Sequence, residues 1–241
     1  MIVILTDFGN TEYLGVMKGV IYAYNKKAKI TDLMNSITPY QIIEGAWILL
    51  QNYKFFPKKT VFLCVVDPGV GGKRNSIAIQ TKNYYFVGPD NGLMYQAANE
   101  DDIKKAVILS NEGAEPTFHG RDVFAKAAAV LDKGTPIIGL GKVTHLKVKP
   151  KFYLKKRTGQ IVRIDNFGNI ITNLPPLDKV EYKVKTNKFK DILKHYNVYE
   201  DALEDQLFII TGSSKTLEIS VRNKSAAILL KVKVGDRIEI K

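Results

Sequence analysis

The sequence lacks the features that mark several large classes of protein. Its single cysteine, Cys64, allows neither a disulfide framework nor a thiolate metal site. No apolar run approaches the roughly 20 residues of a membrane-spanning helix, and the residues after Met1 lack the basic region and cleavage site of a signal peptide. We therefore expect a cytoplasmic protein.

Phosphate-binding and metal-binding motifs are also missing. There is no P-loop, and no G-x-G-x-x-G follows the first apolar run, so a nucleotide would not be held through its phosphates. None of the three histidines has a second histidine at ligand spacing. Carboxylates alone would favour Mg²⁺ or Ca²⁺ without specifying either, so we expect no metal and no cofactor.

The charge is strongly of one sign, with a net +12 over 241 residues. Between Lys147 and Tyr196 there are 13 Lys and Arg against 4 Asp and Glu, so one later segment carries most of the excess. The lysines are spread along predicted strands, which is typical of a solvated face or a protected sheet edge. Because no aromatic residues flank a basic motif, we expect no nucleic-acid partner.

The first half alternates between strand and helix patterns. Strands are predicted at residues 2–6, 29–34 and 61–66, and helices with apolar residues at helical spacing at residues 12–24 and 41–53. This alternation predicts a mainly parallel sheet flanked by helices. It is followed by a hairpin of residues 76–81 and 84–87, a strand near 107–110 and a helix over 121–131.

From about Lys147 short β-like runs replace the helical pattern. They are predicted at residues 159–164, 169–172, 182–186, 207–210, 216–221 and 236–240. We predict an α/β domain at residues 1–146, a linker at 147–156 and a smaller C-terminal β-barrel at 157–241.

Polar chemistry begins where the buried strand 61–66 ends. Asp67 follows it directly and Arg74 comes seven residues later, in a loop rich in glycine. Ligands of α/β sheets bind at the carboxyl ends of strands, and His119 precedes a predicted helix, so the three would supply an acid, a cation and a titratable base. The alternative is a structural turn in which Asp67 caps the loop and Arg74 is solvated.

Five motifs together resemble the S-adenosyl-L-methionine hydroxide adenosyltransferase family, the relatives of fluorinase and chlorinase. In chain order they are Thr6-Asp7-Phe8-Gly9, Asp67-Pro68-Gly69-Val70-Gly71 with Arg74, Gly88-Pro89-Asp90-Asn91-Gly92, Thr117-Phe118-His119-Gly120-Arg121-Asp122 and Asp165-Asn166-Phe167-Gly168-Asn169. The resemblance implies an α/β domain with a β-barrel, a homotrimer with sites at subunit interfaces, and hydrolysis of S-adenosyl-L-methionine to adenosine and L-methionine by attack of water at the ribose C5′.

The resemblance also implies roles for individual residues. Asp67, Arg74 and His119 would act on the water. The implied substrate-binding residues are Asp7, Tyr40, Asp165, Asn169, Ser214 and Arg222. Lys215 stands where the halogenases have arginine, and Asn35 where many relatives have histidine.

Three other functions are considered. A halogenase of the same family would replace the equivalent of Asp67 and insert a longer loop before the Thr-Phe motif, and this chain does neither. The others are a non-catalytic adenosine or S-adenosyl-L-methionine binding protein and an RNA-binding protein using the basic barrel. Simple binding would not require the trio of Asp67, Arg74 and His119, which favours the enzyme.

Overall fold

The computed structural model describes residues 1–241, which form two compact units, Met1–Pro150 and Lys151–Lys241. Each unit has its own apolar core. The assignment of residues 147–156 as a linker stays a prediction. No helix has the length and apolar character needed to cross a membrane.

A seven-stranded sheet forms the centre of the first unit. Its strands are β1 Ile2–Thr6, β2 Ile30–Met34, β3 Val61–Val65, β4 Ser76–Thr81, β5 Tyr85–Pro89, β6 Ile103–Leu109 and β7 Gly141–Thr144, in the spatial order β2-β1-β3-β5-β4-β6-β7. The pairs β2-β1, β1-β3 and β3-β5 are parallel, and β4, β6 and β7 add an antiparallel edge. The predicted α/β class with a mainly parallel sheet is confirmed.

Helices cover both faces of this sheet. They are α1 Glu12–Tyr24, α2 Ile42–Asn52, α3 Tyr95–Glu100 and α4 Lys126–Asp132. Ile2 and Ile4 belong to the same apolar cluster as Met17 of α1, whereas Val3 and Leu5 belong to the cluster of Ile48 and Leu49 in α2. Successive residues of β1 thus point to opposite, equally buried faces.

The region predicted as one helix over residues 121–131 differs in detail. Gly120–Ala125 forms π-helical turns, and the α-helix begins only at Lys126. The apolar periodicity indicated a helix but did not reveal the change in winding. Such turns are frequent next to functional sites, and this one directly follows His119.

The second unit is a closed barrel, as predicted. Its strands are β8 Thr158–Ile164, β9 Ile170–Thr172, β10 Glu181–Lys185, β11 Lys190–Tyr196, β12 Leu207–Thr211, β13 Leu217–Val221 and β14 Arg237–Ile240, joined in the order β10-β11-β12-β13-β9-β8-β14. The short helix α5, Ala226–Leu230, follows β13. Ile170 and Ile219 pair across β9 and β13 and lie in the core of the barrel.

Candidate active site

A cleft of about 600 Å³ opens in the first unit at the carboxyl ends of β1 and β3. Thr6 pairs with Val65 in these parallel strands, so the loops that begin at Asp7 and near Asp67 leave the sheet side by side. Asp7, Tyr40, Asp67 and His119, four of the predicted site residues, line the cleft. The other lining residues are Phe8, Tyr13, Pro39, Val65, Val70, Glu115, Thr117, Phe118, Gly120 and Arg121.

A glycine permits the close approach of the two loops that carry Asp67 and His119. Gly71 has φ +73°, and a Cβ on it would lie 2.4 Å from the carbonyl oxygen of Pro116. Only a residue without a side chain fits both conditions. The glycines of this loop therefore place Asp67 within reach of the Thr117-Phe118-His119 segment.

Asp67, Arg74 and His119 form one hydrogen-bonded group. Arg74 Nε donates to Oδ1 and Oδ2 of Asp67 at 3.1 and 3.0 Å, and Nη2 donates to Oδ2 at 2.5 Å. Nη2 also lies 2.9 Å from Nδ1 of His119. Arg74 does not line the cleft, whereas Asp67 and His119 do, so the guanidinium holds the other two side chains.

The contact with Arg74 determines the tautomer of His119. A guanidinium has donors and no acceptor, so Nδ1 of His119 accepts the hydrogen bond and the ring proton of the neutral imidazole is on Nε2. Burial lowers the pKa of His119, and the Arg74 cation lowers it further, against the opposing charges of Asp67 and Asp122. His119 is therefore neutral near pH 7 and has its ring proton on Nε2; its catalytic role stays a prediction.

A hydrogen bond joins Asp7 and Tyr40 in the lining. The backbone N–H of Tyr40 donates to Asp7 Oδ2 at 2.9 Å. Tyr40 has φ +68° and its side chain is 71% exposed. A left-handed conformation in a tyrosine is costly and often marks a functional position.

Three aromatic side chains in the lining were not predicted as site residues. Phe8, Tyr13 and Phe118 pack edge to face, with ring centroids 5.1 to 6.1 Å apart. Phe8 and Phe118 lie within the motifs quoted above, but Tyr13 looked like an ordinary helix residue. Its position at the start of α1, next to the loop after β1, is the only sequence signal for it.

The second unit has a cleft of its own, lined by Asp165, Asn169 and Arg222 of the predicted residues. Asp165 Oδ1 accepts the backbone N–H groups of Phe167 and Asn169, and Oδ2 accepts the Asn169 side-chain amide at 2.9 Å. Asp165 thus closes the turn between β8 and β9 while facing the cleft. Ser214 lies in the turn between β12 and β13 and is not in the lining.

A buried carboxyl group near this second cleft was also missed. Glu218 of β13 is buried, and Tyr199, which lines the cleft, donates to it at 3.5 Å. Burial and the charge of Asp165 raise the pKa of Glu218 to about 7, against the effects of Tyr199 and Arg163. Nothing in the sequence around Glu218 indicates that this glutamate is buried or that its pKa is raised.

Family models describe both units. The SAM hydroxide adenosyltransferase N-terminal domain matches residues 2–141, and the C-terminal domain of the same family matches residues 159–239. The chain belongs to the SAM hydroxide adenosyltransferase family. The family resemblance carried by the five motifs is therefore confirmed.

Several family members have names or structures. The chain is 38% identical to the (R)-S-adenosyl-L-methionine hydrolase of Methanocaldococcus jannaschii, covering 100% of this chain and 95% of that protein. It is 31% identical to the protein of the same name from Thermus thermophilus, with 96% and 95% covered. A crystal structure of an uncharacterized conserved protein from Thermotoga maritima matches with a TM-score of 0.91 at 33% identity, with both chains covered completely.

Fluorinases are more distant relatives. The fluorinase of an Actinoplanes species is 27% identical, with 74% of this chain and 72% of the fluorinase covered. The chain is thus similar over a smaller part of its length to this fluorinase than to the relatives named as hydrolases.

Proposed function

We propose that this chain hydrolyses S-adenosyl-L-methionine to adenosine and L-methionine. The observation that carries the proposal is the group of Asp67, Arg74 and His119 at a cleft that also contains Asp7, in a chain similar over its full length to proteins named as hydrolases of this compound. Family membership supports the substrate, and the hydrogen bonds support a role for the trio in activating water.

The reaction requires one difficult step. A water oxygen forms a bond to the ribose C5′ while the C5′–S bond breaks. The electron pair of the C5′–S bond stays on sulfur, so the sulfonium becomes the neutral thioether of methionine. The leaving group needs no proton, and the attacking water releases one. Catalysis therefore consists of orienting the water and receiving that proton.

The hydrogen bonds divide these tasks. Arg74 only donates, and the Nδ1 lone pair of His119 is already used. Asp67 is accordingly the member of the trio that accepts from the water, and Nε2–H of His119 donates to its oxygen. A preorganised donor and acceptor in a partly enclosed cleft stabilise the developing charge without reorganising.

Binding is assigned to the remaining residues on the family resemblance. Asp7 would accept hydrogen bonds from the ribose hydroxyls, and the exposed ring of Tyr40 would pack on the nucleoside. In the second unit, Asn169 would contact adenine and Asp165 the methionine ammonium group. Ser214 and Arg222 would complete this set, although Ser214 lies outside the lining of the cleft of the second unit.

The test is product analysis with purified protein and the separated epimers of S-adenosyl-L-methionine, with and without chloride or fluoride. The relatives' name specifies the R epimer at sulfur, so we expect that epimer to be consumed. We expect equal amounts of adenosine and methionine and one proton per turnover. A 5′-halo-5′-deoxyadenosine as main product would establish a halogenase, and tight binding without product would establish a sensor.

Two substitutions separate chemistry from binding. Asp67→Asn should lower kcat by about 10²-fold or more with little change in affinity, whereas Asp7→Ala should weaken affinity first. Asp102→Asn is the matched control, because Asp102 is an exposed carboxylate whose positive φ asparagine tolerates. Equal losses of affinity and rate in Asp67→Asn would contradict its assignment to the water.

We also infer a homotrimer with sites at subunit interfaces. The family resemblance supports it, as does the division of the proposed binding residues between two units. Light scattering that shows a fully active monomer would refute the trimer. The cytoplasmic location expected from the sequence stays a prediction.

A further inference from the structure

Ser76 contacts Arg74 of the trio and is not among the residues that the family resemblance implies. It is the first residue of β4, pairs with Pro89 of β5, and is fully buried. Its Oγ accepts a hydrogen bond from Arg74 Nη1 at 2.8 Å. A serine hydroxyl in this position restrains the side of the guanidinium that faces away from Asp67.

The contacts of Arg74 leave it almost no freedom. Four of its five N–H groups have a partner. The N–H on Nε and one N–H on Nη2 donate to Asp67, and the second N–H on Nη2 donates to His119. One N–H on Nη1 donates to Ser76. The guanidinium also lies over the ring of Phe124, with Cζ 5.3 Å from the centroid. The paired bonds to Asp67 fix one edge of the guanidinium. Ser76 adds a contact to the opposite edge, at Nη1.

We propose that Ser76 is a positioning residue that fixes Arg74, and through it the Nε2–H tautomer of His119, so that His119 enters the reaction as a hydrogen-bond donor. Nη2 reaches His119 only while the guanidinium keeps its orientation. Without Ser76 the guanidinium can rotate toward Asp67 alone, and Nδ1 of His119 loses its donor. The imidazole is then free to adopt the other tautomer, which turns a lone pair and not a proton toward the water.

The tautomer can be measured without any substrate. The chain has three histidines, so selective ¹⁵N labelling of histidine gives a simple spectrum, in which the signals of His119 are those absent from the His119→Gln variant. We expect Nδ1 of His119 to show the shift of an unprotonated nitrogen in the unmodified protein. In Ser76→Ala we expect it to move toward the average of two exchanging tautomers.

The kinetic part of the test rests on the proposed function. Ser76→Ala should lower kcat for S-adenosyl-L-methionine by about 10-fold, as for a lost hydrogen bond to a charged group, with KM changed less than about twofold. The charged groups facing His119 are Arg74, Asp67 and Asp122. Since a loosened Arg74 opposes protonation of the imidazole less, the pKa of His119, followed by its ¹⁵N signals against pH, should rise in Ser76→Ala.

Two further variants make the result specific. In an Arg74→Lys background, Ser76→Ala should have no additional effect on kcat, because lysine has no Nη1 to restrain. Thr60→Val is the matched control: it removes another buried hydroxyl hydrogen bond, of 2.7 Å, at the amino end of β3, and should change neither the His119 signals nor kcat.

The outcomes are distinguishable from a failure of the proposed function. If the chain does not hydrolyse S-adenosyl-L-methionine, the tautomer shift in Ser76→Ala still supports the role of Ser76. An unchanged Nδ1 signal of His119 in Ser76→Ala would overturn the proposal. So would a loss of kcat on Ser76→Ala that is as large in the Arg74→Lys variant as in the unmodified protein.

Discussion

Replacing Arg74 by methionine tests the energetics of the buried ion pair. The side chains of Arg74 and Asp67 are only 10% and 5% exposed, so Arg74→Met leaves a largely buried carboxylate without its cation. Breaking a buried pair by removing one partner costs about 3–5 kcal/mol. The variant also deprives Ser76 and His119 of their donor, which places the expected loss in the upper half of that range.

The double variant Arg74→Met with Asp67→Asn isolates the charge. Once the carboxylate is neutral, the uncompensated charge is gone, and we expect the double variant to recover at least half of the stability lost in Arg74→Met. The assay is urea unfolding followed by circular dichroism at one fixed protein concentration, because the stability of an oligomer depends on concentration. The coupling energy from the cycle should be at least about 2 kcal/mol, and larger by whatever Asp67→Asn costs alone.

The control is the exposed ion pair of Lys104 and Asp102, whose side chains are 54% and 61% exposed. Lys104→Met should cost less than about 1 kcal/mol, because water screens such pairs. If Arg74→Met costs no more than this control, the argument from burial is refuted. If the two substitutions at Arg74 and Asp67 are simply additive, the pair is not the source of the loss.

Two further predictions concern other parts of the fold. Gly71→Ala combines a left-handed φ with a Cβ 2.4 Å from the Pro116 carbonyl oxygen, so it should lower the free energy of unfolding by about 3 kcal/mol or more and remove most activity. The control is Gly113→Ala, which has a similar φ without a clash and should lower the free energy of unfolding by only about 1–2 kcal/mol. Because the pKa of Glu218 is raised to about 7 in the fold, the folded state binds a proton more tightly than the unfolded state and loses stability as pH rises from about 4.5 to above 7. Glu218→Gln should therefore raise Tm at pH 8 and leave it unchanged at pH 4; a lower Tm at pH 8 would reveal a needed carboxylate.

Local sequence signals were sufficient for much of the first unit. β1 and α1 have the predicted bounds, because a doubly buried strand is uniformly apolar and the helix buries Met17 and Ile21 at a spacing of four. In contrast, α3 has only six residues and β7 only four, too few for a period to emerge. Both are held by tertiary contacts and not by their own pattern.

The second unit shows a different limit. β11, Lys190–Tyr196, was not predicted, since only Leu193 among its seven residues is buried and three of its four exposed positions carry charge. Pairing with β10 and β12 creates this strand. Its hydrophobic alternation is too weak to indicate a strand without those neighbours.

The motifs identified Asp67, Arg74 and His119, but not how they are connected. One of the contacts of Arg74 depends on the position of β4, because this strand places the Oγ of Ser76 within hydrogen-bond distance of Nη1. No spacing rule in the sequence states that Nη2 will reach both Asp67 and His119. The roles proposed for the trio therefore depend on these contacts as well as on the residue types.

The polarity of the trio is the reverse of that in serine hydrolases. There a carboxylate accepts a hydrogen bond from Nδ1–H of histidine, so that Nε2 has the lone pair and acts as the base. Here a cation donates to Nδ1, so Nε2 has the proton, and the mechanism proposed above gives the role of base to the carboxylate of Asp67. A carboxylate is a weak base and cannot produce hydroxide before attack, but a sulfonium is a reactive electrophile whose departure needs no proton. The attack of water and the transfer of its proton to Asp67 can then proceed together, with His119 stabilising the oxygen. A chemistry that demands one proton acceptor and no proton donor to the leaving group is matched by a trio with one acceptor, and this match explains why the histidine is held neutral.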